Sequence, residues 1–258
     1  MCHSDVQRPD AALDGIDEDF LTFASDRGPH FASLFRPQQE PRGCVLVATD
    51  VFGRSPFYRQ LGKRLAAAGF VAVVPEMFSH LWPVADGDVR SAGERLARLD
   101  RSATLEEFVV LSDHLRSTHP GQGVGVMGFC LGGALALTLA NRTRLDAAVL
   151  YYATIERRPT SGLSPFTAMD ELQSLRTPLL AHWGDLDEFV SAAAIAEANG
   201  ILQGSGTPHQ VSILPGQRHA FLTFDERDPA YAASAQSWAQ SLDFLGARMM
   251  AFRGGAAN

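Results

Sequence analysis

Short apolar segments alternate with helical segments along most of this chain. Residues 43–50, "GCVLVATD", form an apolar run of the kind expected for a parallel strand covered on both faces. Further strands are predicted at 70–76, 123–129, 146–152, 177–183 and 209–215. Helices are predicted at 56–68, 104–118, 131–141, 191–203 and 229–252. Repeated strand–helix units predict an α/β fold, in which a mainly parallel central sheet carries helices on both faces.

Three segments lie outside this alternation. Residues 1–18 are polar and acidic without periodicity, which predicts an irregular lead-in. The runs "DFLTFAS" and "HFASLFR" predict an antiparallel hairpin at a sheet edge. Residues 77–103 contain several helix-breaking residues and form the longest predicted connection, a candidate lid. Because no linker divides the chain, we expect one domain over 19–252 and a flexible tail at 253–258.

Composition excludes several classes of protein. The net charge of −7 argues against a nucleic-acid partner, which favours a basic surface. The longest apolar stretches, about ten residues, are too short to span a bilayer. Three cysteines do not make a disulfide framework, and the N-terminus shows no signal peptide. We therefore expect a cytoplasmic monomer or homodimer that acts on a small molecule, without contact with nucleic acid or membrane.

The run "GFCLGG" at 128–133 has the spacing of a sharp strand-to-helix turn that presents one nucleophile. Strand and helix cross closely there, so Gly128 and Gly132 have a steric reason to be glycine. Cys130 would sit at a helix N-terminus, whose dipole favours a thiolate, and the Leu131 N–H would point towards a forming oxyanion. The alternative is that Cys130 is a small buried hydrophobic residue, as many free cysteines are.

A nucleophilic thiol needs a base, and the base needs an acidic group that orients it. In the arrangement that uses this turn, the chain order is nucleophile, acid and histidine. His219 follows the last predicted strand at a turn and best fits the base. Asp187, three residues after Gly184, best fits the acid, and we expect Asp185 to brace the same loop or to face water.

A second oxyanion donor is expected in the loop after an earlier strand. The segment "ATDVFGRSPF" supplies that loop, and the N–H of Val51 is the predicted donor. No metal site is expected, because the chain has neither His-Glu-x-x-His nor Cys-x-x-Cys. No cofactor is expected either.

Four ordered blocks resemble the dienelactone hydrolase family of α/β-hydrolases. They are "DVFGRSPFYRQ", "GFCLGG", "GDLDEFV" and "RHAF", and the resemblance covers about residues 43–245. It implies the α/β-hydrolase fold and a triad of Cys130, Asp187 and His219. It also implies hydrolysis of small esters or lactones through an acyl-thioester intermediate.

The chain departs from the family pattern at three positions. The resemblance implies a glutamate that holds the resting thiol, where this chain has the shorter Asp50; Asp50 either gates Cys130 or braces its own loop. Lactone-cleaving members hold a substrate carboxylate with two arginines, and His80 and Thr223 occupy the matching positions. Neither residue can clamp a carboxylate as a guanidinium does, so we expect an ester, lactone or thioester that depends less on an anionic group.

Aromatic residues near the predicted strand ends are candidates for an apolar substrate pocket, together with His80 and Thr223: Phe78, Trp82, Phe189 and Phe221. Each could equally be a core or surface aromatic. Two other functions stay open at this point. The chain could be a non-catalytic ligand-binding or sensing protein on the same fold, or a thiol redox protein that uses Cys130.

Overall fold

The computed structural model describes residue 10 and residues 13–84, 88–155 and 168–250. Its strands are β1 (Asp19–Ser25), β2 (Gly28–Phe35), β3 (Cys44–Ala48), β4 (Val71–Pro75), β5 (Val124–Phe129), β6 (Ala147–Tyr151), β7 (Leu179–Gly184) and β8 (His209–Leu214). Its helices are α1 (Pro56–Ala67), α2 (Val89–Leu96), α3 (Arg101–Thr118), α4 (Leu131–Arg142), α5 (Ala168–Glu171), α6 (Ala192–Ser205) and α7 (Tyr231–Met250).

The eight described strands form one sheet in the order β1-β2-β4-β3-β5-β6-β7-β8. The six strands from β4 to β8 in that order pair in parallel. β2 runs antiparallel to both β1 and β4, so the β1–β2 hairpin forms one edge of the sheet. The predicted mainly parallel sheet and its edge hairpin are therefore confirmed.

Helices cover both faces of the sheet, as two glycines of β5 show. A Cβ on Gly125 would collide with Met249 of α7, whereas a Cβ on Gly128 would lie 2.8 Å from Ala136 of α4. Side chains three positions apart in a strand point to opposite faces, so α7 and α4 lie on opposite sides of the sheet. The strands between these layers, β3 to β7, are buried throughout.

The predicted connection 77–103 contains more helix than the sequence pattern indicated. The helix predicted at 104–118 begins at Arg101, because the side chain of Asp100 accepts a backbone N–H of its first turn. α2 lies inside the connection and is capped in the same way by Asp88. The short helix α5 was also not predicted.

The chain ends lie largely outside the described residues, including residues 1–9 of the lead-in and the predicted tail 253–258. Within the lead-in, Leu13 and Ile16 are buried beside the domain. The boundaries of a single domain at 19–252 stay a prediction. None of the helices in the described ranges is both long and apolar enough to cross a bilayer.

The carboxyl ends of the parallel strands meet at one edge of the sheet. The loop carrying Val51 follows β3, Cys130 follows β5, and Asp187 and His219 follow β7 and β8. In open α/β sheets this edge is where ligands bind.

Candidate active site

Cys130 occupies a sharp turn between β5 and α4. Its backbone has φ 52° and ψ −117°, a left-handed conformation that costs on the order of 1–3 kcal/mol for a residue other than glycine. The turn is held by the Cys130 N–H, which donates to the Tyr151 carbonyl at 3.1 Å. As the N-cap of α4, Cys130 lies at the positive end of that helix.

The glycines on either side of Cys130 are required by close backbone contacts. A Cβ on Gly132 would overlap the carbonyl oxygens of Ala48 and Thr49 at the end of β3. A Cβ on Gly128 would lie 2.5 Å from the carbonyl of Gly132. Strand, turn and helix therefore pack too closely here for any side chain.

Asp187 and His219 form a buried pair. The His219 Nδ1 lies 3.0 Å from Asp187 Oδ1 and 2.9 Å from Oδ2, and both side chains are fully buried. Asp187 Oδ1 also accepts the N–H groups of Phe189 at 2.8 Å and Val190 at 3.1 Å, which fixes the carboxylate. The carboxylate favours the tautomer with the proton on Nδ1, so Nε2 carries the lone pair. That Nε2 is buried and has no hydrogen-bond partner among the described residues.

The His219 ring is held on its other sides as well. It makes edge contacts with the rings of Tyr152 and Phe189, at centroid distances of 5.1 and 4.8 Å. Its backbone N–H lies 3.3 Å from Glu188 Oε2, and Ala220 after it has a left-handed φ of 56°. The ring therefore has one defined orientation.

The end of β6 contacts both the elbow and the histidine. The Tyr151 carbonyl and the Thr154 N–H bond to the two sides of the Cys130 backbone, each at 3.1 Å. The next ring along the chain, Tyr152, packs against His219. Cys130 is 8% exposed, so it lies at the surface of the core. The three predicted triad residues thus lie at the same edge of the sheet.

Asp185 lies in the same loop as Asp187 but serves a different purpose. Its Oδ1 accepts the Gly216 N–H at 2.6 Å and joins the loop after β7 to the turn after β8. The structure therefore places Asp187 on His219 and leaves Asp185 as a loop brace.

The loop after β3 is held from two sides. Asp50, fully buried, accepts the Phe52 N–H through Oδ1 at 2.9 Å. The Val51 carbonyl accepts a hydrogen bond from Arg95 Nη2 at 2.7 Å. Of the two alternatives for Asp50, this contact corresponds to loop bracing; the gating of Cys130 stays a prediction.

Arg95, on α2, was missed by sequence analysis. It is 4% exposed, and its guanidinium lies 4.1 Å above the Phe78 ring. Burial lowers its pKa, and the nearby carboxylates of Glu76 and Asp50 oppose that effect. Burial likewise raises the pKa of Glu76, whose Oε1 accepts the Phe78 N–H at 3.2 Å. Arg95 and the carboxyl groups of Asp50 and Glu76 thus form a charged cluster behind the Val51 loop, and Arg54 adds a second positive charge beside Glu76.

Of the predicted pocket residues, Phe189 lies directly at the Asp187–His219 pair. Its ring contacts His219 and is 44% exposed, so it borders solvent. Phe221 is buried, with its ring 5.5 Å from that of Tyr152. Thr223 Oγ1 accepts the Asp225 N–H at 3.2 Å and stabilises a turn before α7.

The remaining predicted pocket residues make their contacts further along the sheet edge. Phe78 is buried under Arg95. Trp82 is exposed and lies 5.2 Å from the guanidinium of Arg98, and His80 lies 3.3 Å from His30. A role of these residues in substrate binding stays a prediction.

Two carboxymethylenebutenolidases are similar to this chain in sequence. A carboxymethylenebutenolidase of Rhodococcus opacus is 28% identical over 203 residues, covering 78% of this chain and 79% of the relative. A carboxymethylenebutenolidase of Pseudomonas putida is 26% identical, covering 87% and 94%.

Solved structures share the fold. A Klebsiella pneumoniae protein assigned as a dienelactone hydrolase superposes with a TM-score of 0.80 at 20% identity, covering 90% of this chain and 99% of the other. A dienelactone hydrolase from Anabaena variabilis gives 0.66 at 20% identity, covering 91% and 99%. These likenesses establish the α/β-hydrolase fold. The model of the dienelactone hydrolase family matches residues 31–249, most of the chain. This chain belongs to the dienelactone hydrolase family.

Proposed function

We propose that this protein hydrolyses small carboxylic esters or lactones with Cys130 as nucleophile, His219 as general base and Asp187 as the group that orients it. Membership of the dienelactone hydrolase family supports the reaction class. The geometry of the residues at the sheet edge supports the assignment of roles.

The state of the His219 ring carries the proposal. Its Nδ1 is held by Asp187 at 2.9 Å, while its Nε2 is buried without a hydrogen-bond partner in the described part of the chain. A buried nitrogen left unpaired costs about 1–3 kcal/mol. That arrangement is expected where the nitrogen must be available to a thiol or a substrate.

In the first half of the reaction, His219 Nε2 accepts the Cys130 proton and the thiolate sulfur attacks the acyl carbon. The C=O π electrons move to oxygen, and the N–H groups of Leu131 and Val51 donate to the resulting oxyanion. Leu131 opens α4, where N–H groups have no partner within the helix. When the C–O bond breaks, His219 returns the proton to the leaving oxygen.

In the second half, water attacks the Cys130 thioester. His219 Nε2 takes a proton from that water, and the thiolate leaves as the C–S bond breaks. The products are a carboxylic acid and an alcohol or enol, joined in one molecule when the substrate is a lactone. An enolate is a good leaving group, so lactones of enols and activated esters suit a cysteine nucleophile better than amides do.

The loop bearing Val51 needs a fixed position for this role. Asp50 holds the Phe52 N–H and Arg95 holds the Val51 carbonyl, which are the two polar groups of the peptide that follows the proposed donor. Both are positioning residues in this scheme, because neither is assigned a contact with the reacting atoms.

The relatives from Rhodococcus opacus and Pseudomonas putida are both named carboxymethylenebutenolidases, which supports a lactone substrate. His80 and Thr223 replace the arginines expected for carboxylate binding, so we expect this chain to accept substrates without a second carboxylate. A panel of aryl esters and enol lactones, each with and without a carboxylate, tests this directly.

Turnover of an activated aryl ester tests the central proposal. We expect Cys130→Ala to abolish activity, and His219→Ala to accumulate an acyl adduct visible in the intact-protein mass. Cys44→Ala is the matched control: Cys44 is fully buried, and burial raises the pKa of its thiol to about 12. It should keep wild-type activity.

The alternatives predict different results. Saturable ligand binding without turnover, unchanged in Cys130→Ala, would support a non-catalytic binding protein. Peroxide-dependent turnover without ester cleavage would support a thiol redox protein. Wild-type hydrolysis in Cys130→Ala would refute the cysteine mechanism.

A further inference from the structure

Three side chains from distant parts of the chain meet beside the edge hairpin. His30 lies on β2, His80 in the turn after β4, and Glu107 on α3. One ligand atom from each lies within 4.8 Å of the other two. His30 and Glu107 are each 3% exposed, while His80 is exposed and opens the cluster to solvent.

The distances within this cluster fit a small cation. His30 Nε2 lies 3.3 Å from His80 Nε2 and 3.1 Å from Glu107 Oε1. Ligands about 2.0–2.1 Å from a tetrahedral Zn²⁺ are separated by about 3.3 Å. Ser25 Oγ lies 2.8 Å from His30 Nε2 and 3.4 Å from Glu107 Oε1, so a further oxygen adjoins two of the three side chains.

Direct hydrogen bonding alone does not account for the crowding around His30. Its Nε2 has three polar neighbours, from Ser25, His80 and Glu107. A neutral imidazole nitrogen offers either one proton or one lone pair, so it satisfies at most one of them well. His30 Nδ1 lies 3.0 Å from Ser79 Oγ, a contact that fixes the ring as the outer partners of metal-bound histidines do.

We propose that His30, His80 and Glu107 form a binding site for a divalent cation of the Zn²⁺ type. Two imidazoles and one carboxylate are a ligand set that Zn²⁺ and Co²⁺ accept. The bound cation ties the hairpin, the turn after β4 and α3 together, so it stabilises the fold at a place separate from Cys130 and His219. No local sequence motif predicts the site, because its ligands come from three separated segments of the chain.

Arg27 competes with the cation for Glu107. Its Nε and Nη2 lie 2.8 and 2.5 Å from Glu107 Oε1, and its side chain is 24% exposed at the hairpin turn. A metal must share this carboxylate with the guanidinium or displace it towards solvent. Removing the arginine charge should therefore tighten metal binding. If Arg27 served only to hold Glu107 in place, its removal would weaken metal binding instead.

The test uses full-length protein without an affinity tag, stripped with a chelator and then titrated with ZnCl₂ or CoCl₂. We expect one saturable Zn²⁺ per chain and tetrahedral Co²⁺ absorption. At about 100 times Kd, Zn²⁺ should raise Tm by about 5–10 °C for a chain of this length. His80→Ala, at an exposed position, should weaken binding at least tenfold, and Arg27→Gln should strengthen it severalfold.

Two controls separate this site from other metal binding. His114→Ala alters a histidine of α3 outside the cluster and should leave affinity unchanged. The wild-type protein should show no sulfur-to-cobalt charge-transfer band, and Cys130→Ser should bind the cation equally well. The proposal is overturned if the cation leaves Tm unchanged, if His80→Ala binds as tightly as wild type, or if Cys130→Ser abolishes binding.

Discussion

Replacing Arg95 by methionine should damage stability and activity together, because one buried cation serves both. The guanidinium is 4% exposed and donates to the Val51 carbonyl at 2.7 Å. Its removal takes a positive charge away from the carboxyl groups of Asp50 and Glu76. Breaking a buried charge set in this way costs about 3–5 kcal/mol. That corresponds to a Tm lower by about 6–20 °C for a chain of this length.

Arg95→Lys separates the charge of this residue from its geometry. Lysine keeps the positive charge but has no planar face to stack on Phe78 at 4.1 Å. We expect a loss of only about 1–2 kcal/mol in stability. Because the Val51 loop is less well held, kcat/KM for an activated ester should fall about a hundredfold. The fall should be mainly in kcat, since an oxyanion contact strengthens in the transition state.

The assay combines thermal unfolding with steady-state hydrolysis well below the Tm of each variant. Arg98→Met is the matched control, because Arg98 is exposed and stacks on Trp82 at 5.2 Å without touching the Val51 loop. Arg98→Met should change neither the Tm nor kcat/KM appreciably. Wild-type kcat in Arg95→Lys, or an equal loss in Arg98→Met, would refute the positioning role.

Three further outcomes follow from the contacts. Gly132→Ala should cost about 3 kcal/mol or more in the free energy of unfolding by urea, because its Cβ overlaps the carbonyls of Ala48 and Thr49; a near-neutral result would contradict the packing. Asp187→Asn should lower kcat by about 10³–10⁴-fold with little change in Tm, since the wrong His219 tautomer is favoured, and normal kcat would reject this role. Burial lowers the pKa of His182 to about 4, below its value in the unfolded chain. The unfolded state therefore binds more protons, and the free energy of unfolding falls as the pH drops from 6.5 towards 4, by about 3 kcal/mol at most. Urea titrations at several pH values should show a smaller acid loss in His182→Asn, and an equal loss would contradict this origin.

The parts that could be predicted from sequence are those determined by nearby residues. Gly128, Cys130 and Gly132 carry the steric requirement of the elbow within five residues, and apolar periodicity identifies the buried strands. Chain order and strand ends then point to Asp187 and His219, because parallel strands bring their carboxyl ends to one edge.

The parts that escaped prediction depend on contacts between distant segments. Arg95 looks like one more surface arginine of a helical segment until the fold buries it behind the Val51 loop. His30 and Glu107 are 77 positions apart in sequence, and neither carries a local motif. The sequence predicts His80 as a pocket residue in place of a substrate-binding arginine, whereas the structure places it against His30.

The absence of a side chain at Gly132 has a consequence for how the proposed oxyanion site would respond to mutation. At this point main chain rests on main chain, so the gap between the start of α4 and the end of β3 is set by backbone contact and not by a side-chain rotamer. Substrate-facing residues could then be exchanged for others without widening that gap. Substitutions that change which substrates the enzyme accepts would leave the spacing of these two backbone segments unchanged.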